Sequence, residues 1–150
     1  MSIVVKPNSN TTLGVYQRVT PKNAGWKWLN FEARLMSKGH QWTHQTGTNE
    51  MVIVLLGGNF KVSSNRGSWE TINGRKDVFG GIAHTLYLPP KTQFTLTATS
   101  DTLDIGYGWC LAEGSFEPKF VKPEDTPVVI FGGDNATRQF NDLVPPGFGC

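Results

Sequence analysis

Cysteine is scarce: among 150 residues only Cys110, inside an apolar run, and Cys150, the last residue, carry a thiol. A disulfide framework needs more cysteines at regular spacing, so a reducing compartment is expected. Long hydrophobic runs are also missing. The apolar part of MSIVVKPNSN is too short for a signal peptide, and no later stretch could span a bilayer as a helix. The expectation is a cytoplasmic protein with no membrane partner. Charge of one sign is missing too. Fourteen Lys and Arg stand against twelve Asp and Glu, a formal net charge of +2, and the basic residues are scattered. No cluster would neutralise a row of phosphates, so no nucleic-acid partner is expected. Signatures of nucleophilic catalysis are absent as well. There is no Gly-x-Ser-x-Gly, and Cys110 lies among apolar residues, where a thiol is usually inert packing. The Gly-Gly pairs that begin at Gly57, Gly80 and Gly132 open no helix followed by Lys-Ser or Lys-Thr, so they cradle no phosphate.

Glycine and proline are plentiful, at seventeen and nine, and they punctuate the chain every several residues. Between them lie short runs rich in Val, Ile, Thr, Phe and Trp. That spacing predicts a single all-β domain over residues 1–150, a sandwich or barrel large enough for a core without staples. Strands are expected at Ser2–Lys6, Leu13–Val19, Trp26–Met36, Met51–Leu56, Trp69–Ile72, His84–Leu88, Thr92–Thr99, Leu103–Ala112 and Val128–Phe131. Pro7–Thr12 is expected as a polar loop. One helical turn is expected after Thr20-Pro21, ended by Asn23-Ala24-Gly25. Gly57-Gly58-Asn59 and Asn73-Gly74 carry hairpin signals, because both residue types accept positive φ. Gly106 and Gly108 inside a strand suggest a close approach by a neighbour. Trp26 and Trp28 are expected on the strand face opposite Leu29 and Phe31. Phe116–Pro127 reads as an extended proline-rich arm, Gly132–Asn141 as polar, and Pro145-Pro146-Gly147 as a linker. Val52, Val54, Phe94 and Leu96 are expected in the core.

The chain is organised around GHQWTHQTGTNEMVIVLLGGNFKV, residues 39–62. It joins two histidines, His40 and His44, to Glu50 and then to the most apolar run. If Met51–Leu56 is one arm of a hairpin, His44 and Glu50 stand on one side of it and point into the space the sheet encloses. The pattern resembles the first cupin motif at Gly39, His44, Thr46, Glu50 and Gly57. Leu88-Pro89-Pro90-Lys91-Thr92-Gln93-Phe94 resembles the second, with Phe94 at the histidine position. AGWKWLNFEARLMSKG, EMVIVLLGG, RKDVFGGIAHTLYLPP, FVKPEDTP and TRQFNDLVPPGF together resemble the N-terminal half of the 5-deoxy-glucuronate isomerase family of inositol catabolism. That resemblance implies a cupin-type β-barrel (a double-stranded β-helix, or jelly roll). It also implies a two-cupin protein of about twice this length and a metal-dependent aldose–ketose isomerisation. The metal ligands would lie in a C-terminal cupin that these residues do not include.

A cupin metal site needs about three imidazoles and a carboxylate on one barrel face. Only His44 and Glu50 match, and neither Thr46 nor Phe94 offers a strong ligand. The expectation is therefore no metal and no cofactor, no catalytic residue, and a structural or assembly role. The partner would be a C-terminal cupin half or a second copy of the chain in a homodimer, through Trp26, Trp28 and Val128–Phe131. Two alternatives stay open. A stand-alone cupin could bind a carbohydrate or sugar acid through Trp42, His44, Glu50 and Arg75, since an arginine pairs bidentately with a carboxylate. A minimal isomerase could hold zinc or manganese through His40, His44, Glu50 and His84.

Overall fold

Apolar runs bounded by glycine and proline become strands along most of this chain. The computed structural model describes residues 4, 6, 13–114, 116–145 and 147–148. In chain order the elements are β1 (Gly14–Val19), α1 (Pro21–Ala24), β2 (Asn30–Ser37), β3 (Gln41–Gln45), β4 (Asn49–Gly57), β5 (Phe60–Ser64) and β6 (Gly67–Glu70). They continue with β7 (Thr85–Leu88), β8 (Gln93–Ala98), β9 (Thr102–Leu111), β10 (Lys119–Val121), β11 (Val128–Phe131) and β12 (Arg138–Asn141). The all-β expectation holds. No helix among the described residues is long and apolar enough to cross a membrane.

Two antiparallel sheets face each other. The larger has six strands in the order β1-β2-β9-β4-β7-β10, and the smaller has four in the order β3-β8-β5-β6. Side chains alternate along a strand, so each strand sends every second residue between the sheets. β4 sends Met51, Ile53 and Leu55, all at most 2% exposed, against Phe60, Val62, Phe94 and Leu96 of the small sheet. Phe94 and Leu96 are core residues as expected. Val52 and Val54 are not, because alternation turns them to the outer face, where they are half-buried. β9 is the longest strand and pairs with both β2 and β4. A Cβ on Gly106 would stand 3.3 Å from the Phe31 ring, the close approach its glycine suggested.

The turn signals were right about backbone and wrong about pairing. Gly57-Gly58-Asn59 does not close a hairpin. β4 pairs with β7 and β9, whereas β5 pairs with β6 and β8, so the chain turns a corner here from one sheet to the other. Gly58 takes φ 90°, and a Cβ on it would overlap the Thr102 carbonyl. Asn73-Gly74 likewise opens a loop to β7 in the other sheet, with Asn73 at φ 53°. Asn59 ties the corner: its side-chain oxygen accepts from Gly74 N–H at 2.9 Å and Thr71 Oγ1 at 3.2 Å, and its N–H donates to Ser100 Oγ at 2.8 Å.

Other boundaries moved. α1 forms as expected and ends on Gly25 at φ 73°. β2 begins only at Asn30, so Trp26, Trp28 and Leu29 lie on no strand face and the expected opposition of the tryptophans to Leu29 and Phe31 does not arise. They precede the strand and are exposed. The sixth strand stops at Glu70, leaving Ile72 exposed. The proline-rich arm contains the short β10, which extends the large sheet beside β7. The polar stretch after Phe131 contains β12, paired with β11 as a separate two-stranded hairpin. The strand expected over Ser2–Lys6, the loop over Pro7–Thr12 and Cys150 fall wholly or mostly outside the described residues; Val4 and Lys6 are described, and neither is in a strand. So does Pro146 of the expected linker.

Candidate functional site

The strands of the large sheet run from an open end to the corner at Gly58, and the open end is where polar side chains gather. A cavity of about 330 Å³ lies there, with Arg18, Glu32, Arg34, Trp42, His44 and Tyr107 in its wall. Register explains the gathering. Glu32 is the Cα partner of Tyr107 and Arg34 of Ile105, so the charged residues of β2 share the inward face with the core of β9. Arg18 on β1 pairs with Glu32. Trp42 and His44 come from β3, across the gap, where His44 is the partner of Phe94.

One hydroxyl wires the charges together. Tyr107 donates to Glu32, whose other oxygen accepts from Arg18 Nε at 2.6 Å. Arg34 donates to the same tyrosine oxygen from Nε and Nη2, both at 3.4 Å. Burial first, and then the bond to Glu32, raises the Tyr107 pKa far above the usual phenol value, so it keeps its proton. The Arg34 guanidinium lies over the Trp42 indole, 4.7 Å from its centroid. Trp42 in turn stacks at a tilt on Tyr107, at 4.5 Å, and His44 sits 5.5 Å from Trp42. Burial lowers the His44 pKa; the Glu32 carboxylate opposes that and Arg34 reinforces it. Its ring is therefore neutral at pH 7 and can accept or donate one hydrogen bond.

Of the residues named for a sugar-acid binder, the structure brings Trp42 and His44 together, but not Glu50 and Arg75. Glu50 is the partner of Cys110 and points to the outer face of the large sheet, away from His44. There it accepts from Tyr87 at 3.0 Å and lies 3.5 Å from Cys110 Sγ. The expected shared side is overturned because His44 and Glu50 lie on different sheets and Glu50 falls on the outer side of the β4 alternation, with Val52 and Val54. Arg75 is a fastener for the loop before β7: Nε donates to the Leu55 carbonyl at 2.9 Å and Nη1 to that of Gly81 at 2.8 Å.

The metal alternative fares the same way. His40 lies 3.1 Å from Ser37 Oγ outside the cavity, and His84 is buried and stacked on Phe120 at 5.7 Å. His40, His44, Glu50 and His84 thus do not converge. Among the described residues no group of three or more His, Cys, Asp or Glu could hold a metal ion. The motif positions explain why. The Thr46 hydroxyl donates to the Pro89 carbonyl and accepts from Thr92 N–H, both at 2.9 Å, and Phe94 supplies only carbon. The donor set at the motif positions of this barrel does not fit zinc or manganese.

Sequence reasoning missed Arg18, Glu32, Arg34 and Tyr107. One signal was available: in NFEARLMS the apolar Phe31, Ala33 and Leu35 alternate with Glu32 and Arg34, and the latter lead in register to Met36, which is buried in the core.

Comparison with known proteins agrees with the fold. The 5-deoxy-glucuronate isomerase of Geobacillus kaustophilus is 28% identical over 146 residues, covering 95% of this chain and 52% of that protein. A crystal structure of an IolB-like protein from Salmonella typhimurium superposes with a TM-score of 0.84 at 24% identity, over 92% of this chain and 52% of the other. A cupin protein from Bacteroides fragilis gives a TM-score of 0.52 at 15% identity, over 77% and 90%. The chain thus has the cupin barrel, and it spans about half the length of the curated relatives it matches. The KduI/IolB family model covers residues 3–148, and the chain belongs to that family.

Proposed function

We propose that this domain is the non-catalytic cupin of a 5-deoxy-glucuronate isomerase-like assembly, and that its role is to pack against a catalytic cupin half. The β11–β12 hairpin carries the reading. All four β11 residues, Val128, Val129, Ile130 and Phe131, are 44–59% exposed, and Phe140 opposite them is 58% exposed. An isolated two-stranded hairpin is marginal in water, and a contiguous exposed apolar patch marks an interaction surface. The relatives' additional length, roughly one further domain, supplies an occupant of suitable size. The barrel mouth is in keeping with a non-catalytic role, since among the described residues no group of three or more His, Cys, Asp or Glu could hold a metal ion.

The test uses the chain alone and together with the remaining half of the Geobacillus relative. Alone, it should retain no zinc or manganese after dialysis and should not isomerise 5-deoxy-glucuronate with either metal added. Mixed with the second half, it should co-elute as one complex. A tightly held metal on the lone chain, lost in His44→Ala, together with turnover, would overturn the reading in favour of a minimal isomerase.

A further inference from the structure

Arg34 is a half-buried cation without an anion. Its hydrogen bonds to Tyr107 are long, and among the described residues no carboxylate lies within ion-pairing distance of it. Its near neighbour Glu32 is already engaged by Arg18 and by the Tyr107 proton. The guanidinium is nonetheless held in place, with one face on Trp42 and one edge on Tyr107, and it borders the cavity. A planar guanidinium fixed at one edge leaves N–H groups whose fork matches a carboxylate.

The rest of the wall narrows the ligand further. Trp42 and Trp109 offer flat apolar surface for C–H groups. Neutral His44, with Gln45 and Asn49, lines the rim with hydrogen-bonding groups suited to hydroxyls. The volume sits near the lower end of the roughly 300–1,000 Å³ typical of small-molecule sites, which excludes nucleotides and large cofactors. Glu32, reaching the same tyrosine hydroxyl, disfavours a second negative charge beside Arg34. We propose that the mouth of this barrel binds a small monocarboxylate carrying hydroxyl groups along its chain, with Arg34 holding the carboxylate and Trp42 its apolar face. The site needs no second cupin half, so its failure would leave the packing role standing, and the reverse.

Calorimetric titration of the whole chain with gluconate and glycerate tests the proposal, with glucose and glucose 6-phosphate beside them. Saturable binding of a hydroxy acid, no binding of glucose, and weaker binding of the phosphate ester are expected. Arg34→Met should abolish binding, and Arg34→Lys, which keeps the charge but not the fork, should weaken it about tenfold. Should Arg34→Met fail to fold, the wild-type chain decides. On adding gluconate, the Arg34 Nε–H and Trp42 indole N–H resonances should shift, while those of exposed Trp28 should not. The proposal is overturned by absence of saturable binding, by equal affinity for glucose, by preference for the phosphate ester, by unchanged affinity in Arg34→Met, or by resonances at Arg34 and Trp42 that stay put.

Discussion

His44 and Phe94 face each other across β3 and β8, with ring centroids 5.9 Å apart. By the resemblance to the cupin motifs both positions would carry histidine; here one is an imidazole at the mouth and the other is core. Phe94 is 1% exposed and also meets Trp42 edge-on at 5.2 Å.

Phe94→His would restore the second imidazole where a good hydrophobic contact now stands. The variant should lose about 2–4 kcal/mol of stability, since a buried ring is replaced by a smaller polar one. Two cross-strand imidazoles are a partial zinc site, so added zinc should raise the melting temperature of the variant and not that of the parent. Thermal melts with and without zinc check both halves. A variant as stable as the parent would mean that Phe94 is not a packing residue.

Thr46 stands at the other altered motif position and carries a structural bond pair. Thr46→Val keeps its shape and strands the Thr92 N–H in a buried site; the Pro89 carbonyl still receives the Thr92 hydroxyl at 2.8 Å. A loss of about 1–3 kcal/mol in urea denaturation is expected.

Lone chains should pair through the exposed hairpin, because apolar strands left uncovered associate. Sedimentation at micromolar concentration should show a dimer. The double substitution Val128→Glu with Ile130→Glu should yield monomers and block capture of a catalytic half. It should leave barrel stability within about 0.5 kcal/mol, as surface changes do. A wild-type monomer would contradict the self-association.

Stability should fall as the solution is acidified through the imidazole range. Burial holds the His84 pKa below its ordinary 6.5, with Glu124 raising it and Lys122 and Arg75 lowering it further. Below about 6.5 the unfolded chain takes up a proton that the folded chain refuses, so unfolding is favoured. The contribution is complete above 6.5, declines as pH falls toward the folded value, and is level beneath it. His84→Leu should flatten this part of a pH series of urea midpoints. An unchanged slope would show that His84 is not its source.

The strands that lie inside the barrel were legible because burial imposes a pattern. Met51–Leu56 is apolar throughout, as expected of a strand covered on both faces, and Phe94, Leu96 and Ala98 alternate with threonines. β12 left no such trace, since Arg138, Gln139, Phe140 and Asn141 are all exposed and nothing sorts them by side. The corner at Gly58 was taken for a hairpin because both need positive φ, and partner choice is decided elsewhere in the chain. Half of the mouth was legible for a related reason. Trp42 and His44 sit in one local motif, while Arg18, Arg34 and Tyr107 meet only through the register of three strands.

The corner has a mechanical meaning as well. At that end of the barrel Gly58, Gly74 and the Thr102 carbonyl are crowded so closely that a side chain on either glycine would overlap backbone, and Asn59 and Ser100 stitch the crossing segments. The opposite end has a stitch of its own, since the Thr46 hydroxyl donates to the Pro89 carbonyl and accepts from Thr92 N–H, but beside it a tilted stack of Tyr107, Trp42 and His44 borders the cavity. Rings can slide over one another far more easily than interlocked backbone can part. Any loosening of that end therefore falls first on the rings rather than on the Thr46 stitch, and it changes the room beside Arg34.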